Sequence, residues 1–143
     1  MNNCELLIKA QASDSDLCLE VKLNNQTKFK KILSTESESI KFLFDDTDDC
    51  KQILEIIMSG KQSEHTVIDK DGNITQDRMI KISHVSLDQI ELGQLFMDQA
   101  IYLHDFNGTA EKIQAKFFGN MGCNGTVRLE FSSPVYVWLL ENM

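Results

Sequence analysis

The chain has 143 residues, 42% of them hydrophobic, with 14 Lys and Arg against 22 Asp and Glu and a formal net charge of −8. That length is enough for one domain with a real core, 1–143, since a domain of this size buries roughly 68–70% of its unfolded surface, and no apolar run approaches the ~20 residues needed to cross a bilayer. The acidity works against nucleic acid and anionic membranes as partners, because both attract clustered Lys and Arg; the densest basic group, Lys28, Lys30 and Lys31, reads as the solvation of one strand end.

The first segment, MNNCELLIKAQ, carries a candidate strand, CELLIKA. It has no basic residue ahead of its apolar run and no small-residue cleavage site, so a chain made and kept in the cytoplasm is expected. In that reducing setting Cys4, Cys18, Cys50 and Cys123, which show no C-x-x-C spacing, are expected as thiols packed like small hydrophobes. The N-x-T sequences at Asn25, Asn73, Asn107 and Asn124 then read as turns.

In DLCLEVKL the apolar residues Leu17, Leu19, Val21 and Leu23 alternate with polar ones, the period of two of a half-buried strand. The pattern returns with Ile40, Phe42 and Phe44 in SIKFLF, Ile80 and Ile82 in MIKIS, and Val127, Leu129 and Phe131 in TVRLEF. KQILEIIM, HVSLDQIEL and PVYVWLL add further candidate strands. The stretch from Gly93 to Gly119 is less regular, with one helical turn expected at TAEKIQ, capped by Thr109. Roughly eight or nine short strands with Asp, Asn and Ser at the turns predict an all-β protein, an antiparallel β-sandwich or jelly roll.

Two acidic stretches are candidate sites. In DKDGNITQDR, Asp69, Asp71, Gly72 and Ile74 fall on EF-hand loop positions three, five, six and eight, but Val67 and Arg78 then occupy the two ends where calcium needs acidic ligands. A hairpin turning at Asp71-Gly72 explains the same letters. Asp45, Asp46, Asp48 and Asp49 crowd into DDTDD, for which an exposed, hydrated loop is expected; if the fold brought them to Asp69, Asp71 or Asp77, a calcium site would result. His65, His84 and His104 have no metal-ligand spacing and no activated nucleophile is apparent, so no enzyme activity is expected. The terminal SSPVYVWLLENM holds Tyr136 and Trp138, which serve either the core or a platform for stacking on sugar or protein.

The run from Leu17 to Gly93, with LEVKLNN early and Asp77-Arg78 before MIKISHVSLDQIELG, resembles small calcium-dependent carbohydrate-binding sandwiches of the xylan-binding kind. That resemblance implies a carbohydrate-binding-module-like fold and carries over Asp77 as a calcium ligand; Asp69 and Asp71 are added on their chemistry. The chain departs from the pattern at Ser59-Gly60, where those modules have an Asn-Asp pair that helps to hold calcium.

A second resemblance spans residues 54–143. VIDKDGNITQDRMIKISHVSLDQIELG together with NGTVRLEFSSPVYVWLLENM looks like small proteins of tailed bacteriophages, marine and cyanobacterial ones in particular. It implies a role in the virus particle or in its assembly, and the expected function is a virion protein (capsid decoration, neck or tail) with no cofactor unless calcium, and with other virion proteins or a symmetric array of copies as partners. The alternative is a calcium-assisted module that binds host surface glycan.

Overall fold

The computed structural model describes residues 3–47, 50–62, 67–105, 108 and 111–143, with only the backbone at 75 and 76. Most of its strands form two antiparallel sheets that face one another, and a separate two-stranded hairpin lies outside them. The first is built from β1 (Asn3–Ala12), β4 (Glu38–Asp45), β8 (Ile80–Leu87) and β12 (Asn120–Met121), in the order β12-β8-β1-β4, with β9 (Ile90–Glu91) folded back on β8. The second runs β11-β10-β13-β5-β2-β3, from β11 (Ile113–Lys116) and β10 (Ile101–His104) through β13 (Gly125–Ser132) and β5 (Lys51–Ser59) to β2 (Cys18–Leu23) and β3 (Gln26–Ile32).

The period of two does what the sequence predicts. Leu6, Ile8 and Ala10 of β1, Leu19 and Val21 of β2, Leu54 and Ile56 of β5, and Leu129 of β13 are all buried to 0% exposure in one apolar cluster. A one-residue slip of any of these strands would turn its whole buried set to solvent, which fixes the register. The sheets meet across the edge-to-face pair Phe44 and Phe131, whose ring centres are 5.7 Å apart. The β2–β3 connection turns at Asn24 and Asn25 (φ 52 and 68) and the β8–β9 connection at Asp88 and Gln89 (φ 52 and 69), each pair supplying the two left-handed residues of a tight hairpin.

Three expectations change, and one strand is added. PVYVWLL is not a strand but helix α2 (Val135–Asn142). Pro134 has no N–H for a ladder, so pairing stops there; Val135, Trp138 and Leu139 then bury a helical face, which an almost continuous apolar run permits equally well. MIKIS and HVSL are one strand, β8. The helical turn of the irregular stretch is α1 (Gln94–Gln99); Thr109 lies outside the described residues, and the end of TAEKIQ enters β11. Strand β3 was hidden because it is an edge whose side chains are nearly all solvated, and its lysines protect that edge.

Candidate functional site

The DKDGNITQDR stretch folds as a hairpin between β6 (Val67–Ile68) and β7 (Ile74–Gln76). Asp69 organises the turn: its Oδ1 accepts the backbone N–H of Asp71 and of Asn73, each at 2.9 Å, and Gly72 supplies φ 84. Asp71 is exposed. Asp77 lies past the hairpin and is engaged elsewhere, so the sequence-predicted trio does not act as one set. Nor do Asp77 and Arg78 pair with each other by charge. Arg78 reaches back to Asp16 Oδ2 at 2.9 Å, Asp14 Oδ2 at 3.5 Å and the Ser15 carbonyl at 3.0 Å, which pins the β1–β2 connection.

Asp77 instead meets Lys61, 2.5 Å from its Nζ, just beyond the end of β5. The Lys61 side chain is 2% exposed and its ammonium also donates to the Gly122 carbonyl. Its backbone is clamped by the Asn124 carboxamide, which accepts from Lys61 N–H at 2.9 Å and donates to Lys61 C=O at 2.8 Å. Gly60 (φ 88) makes this approach possible, since a Cβ there would stand 2.8 Å from the Asp16 carbonyl oxygen. Beside the cluster, the Tyr102 hydroxyl accepts from Cys123 N–H at 2.9 Å and donates to its carbonyl. Burial pushes that phenol up to about 12, and burial likewise raises the Cys123 thiol.

The other end of β5 is open. Two clefts, of about 500 and 620 Å³, share Cys50 and Lys51, and a third of about 280 Å³ joins the first at Glu130. Lys51 Nζ lies 3.0 Å from Glu130 Oε2 and Arg128 3.0 Å from Oε1, and the Lys51 hydrogen bond holds the Glu130 carboxyl below its usual range. Arg128 Nε is buried and has no hydrogen-bond partner among the described residues. Ser132, Glu141, Pro134, Val137 and an edge of Trp138 also line the first cleft, giving hydrogen-bonding groups beside apolar edges.

Beneath this end runs a polar network with no sequence signal. Gln52, 4% exposed, donates to Ser133 Oγ and the Asp45 carbonyl, each at 3.1 Å, and accepts from Asn24. Asp46 is not in a hydrated loop: it is 8% exposed and accepts the Val135 N–H at 3.0 Å, capping α2, while Asp48 and Asp49 lie outside the described residues. Trp138 is 7% exposed and packs on Phe131 at 5.9 Å, so its rings belong to the core. Tyr136 is half-exposed and donates its O–H to Asp88, whose carboxylate keeps that proton on the phenol. His84 faces Glu91 at 3.5 Å, His104 stacks on Tyr102 at 4.6 Å, and His65 lies outside the described residues. Of the cysteines, none in a disulfide, Cys4 is buried, its thiol pushed up to about 12 by burial and by Asp88, Asp46 and Glu5; Cys50, in contrast to expectation, is exposed.

No family model matches the chain, and neither does any curated protein. Two solved structures share its fold. One is the selenomethionine form of vCBM60, described among calcium-dependent carbohydrate-binding modules, with a TM-score of 0.58 at 7% identity over 88% of this chain and 89% of that one. The other is vCBM60 in complex with galactobiose, with a TM-score of 0.54 at 9% identity over 87% and 96%. The chain has a β-sandwich fold like that of these modules.

Calcium does not fit the described residues here. Calcium takes six to eight oxygens; Asp77 is already neutralised by an ammonium, and Asp69 spends Oδ1 on its own turn. Among the described residues no three His, Cys, Asp or Glu side chains are arranged to hold a metal.

Proposed function

We propose that this protein is a non-enzymatic glycan-binding module, with the linked clefts around Lys51 and Glu130 as its site. The observation that carries the reading is the likeness of fold, over most of both chains, to modules described as binding carbohydrate. The clefts supply what an oligosaccharide needs: acceptors and donors in Glu130, Lys51, Arg128 and Ser132 for hydroxyls, and the edges of Pro134 and Val137 for the apolar faces of sugar rings.

A panel of immobilised oligosaccharides, galactobiose among them, tests this on the purified chain. At least one glycan class is expected to bind, and Glu130→Gln is expected to weaken it about tenfold, the loss of one charge-assisted hydrogen bond. Binding unaffected by cleft substitutions would move the site; no binding across the panel would remove the reading.

A role in a phage particle, as capsid decoration or as a neck or tail component, is a second proposal. It is supported by apolar side chains left on the surface at edge strands and on α2, namely Ile32 (65% exposed), Leu43 (59%) and Leu140 (81%), which suit contact with other virion proteins or further copies of the chain. The two readings are compatible, because a displayed module can hold host polysaccharide. Quantitative mass spectrometry of purified particles decides it, and absence from them would exclude the role.

A further inference from the structure

We infer that this protein dispenses with calcium, because the Lys61 ammonium is a built-in cation that ties its loops together at the far end of β5. The inference concerns how that end is held and does not rest on the glycan reading. Three loops converge on one side chain: Lys61 leaves β5, Asp77 arrives from the β6–β7 hairpin, and Gly122 precedes β13. Arg78 extends the same assembly to Asp14 and Asp16 of the β1–β2 connection.

Lysine is almost never fully buried unless paired, since its charge loses hydration. Here the loss is met by a carboxylate and a carbonyl, and the charges of Lys61 and Asp77 cancel. A calcium ion brought to Asp77 would stand beside this ammonium, two cations on one carboxylate whose side chain is 23% exposed while that of Lys61 is 2% exposed. The backbone clamp by Asn124 and the close approach at Gly60 hold Lys61 in place before any ligand arrives. A tethered ammonium thus performs a task that a metal performs when the ligands are all oxygens.

Thermal melts of the purified full chain in EDTA and in millimolar calcium chloride test this. The expected result is the same midpoint in both, with Lys61→Met melting several degrees lower in both and calcium giving no recovery. A wild-type midpoint raised by several degrees, as calcium held at ~100 times its dissociation constant would produce, would overturn the inference; so would Lys61→Met melting like wild type. Should Lys61→Met fail to fold, the double variant Lys61→Met/Asp77→Asn removes both charges and is expected to fold and to recover part of the loss. A double variant no better than the single one would overturn the pairing.

Discussion

Lys51 and Lys61 bracket the same strand and live in opposite environments. Lys51 opens β5 with its side chain 64% exposed, paired with a Glu130 that is itself 45% exposed. Lys61 follows the strand with its side chain 2% exposed, held by Asp77 and Gly122. The exposed pair is screened by salt and water, so it adds little to stability and its groups can exchange partners for a ligand. The Lys61 pair is committed: its ammonium was taken out of water, while Asp77 keeps 23% of its side chain exposed, and that ammonium cannot lose its carboxylate cheaply. One end of β5 is therefore suited to recognition and the other to holding the fold.

The sharpest way to break this contrast is Lys61→Met, which takes the ammonium away from the Asp77 carboxylate and is expected to cost about 3 kcal/mol in denaturant unfolding. A loss no larger than that of a surface variant would erase the distinction between the two ends. Next comes Gly60→Ala, which puts a Cβ 2.8 Å from the Asp16 carbonyl at φ 88 and is expected to cost about 1–3 kcal/mol, read as a lower urea midpoint. Unfolding across alkaline pH probes the same end more gently. The folded state holds the Tyr102 proton more tightly than the unfolded chain, so this contribution is complete below pH 10 and is lost as pH rises through about 12. Tyr102→Phe should lack that part of the slope; parallel curves would show that the phenol is not coupled to folding. The smallest effect belongs to Lys51→Ala, for which the unfolding midpoint is expected to stay near wild type at all salt concentrations while glycan binding weakens. A large loss of stability there would mean that the exposed end is structural too.

Much of the sandwich was legible because half-buried strands write their burial into alternate residues, as Leu17, Leu19, Val21 and Leu23 do. Legibility failed where burial was not alternate. Edge strand β3 is solvated on nearly every side chain, and PVYVWLL is apolar at almost every position, so neither carries a readable period. Asp46 was misread for a different reason: four acids within five residues suggest a hydrated loop, yet one of them is drawn beneath α2 to cap it. The candidate site was less legible still. Lys51, Glu130 and Arg128 look like ordinary surface charges in sequence, and Lys61 differs from them only in what surrounds it.

By itself the sequence determined the two-sheet architecture, the hairpin at Asp71-Gly72 and the left-handed turn at Asn24-Asn25, because each depends on side-chain period or on a local backbone preference. The tertiary structure alone decided that Asp77 would meet Lys61 and not a neighbour, that Arg78 would reach the β1–β2 connection, and that Trp138 would lie in the core. These are contacts between residues distant along the chain, and the strength of a charge depends on the water left around it, a quantity fixed only once the sheets have closed.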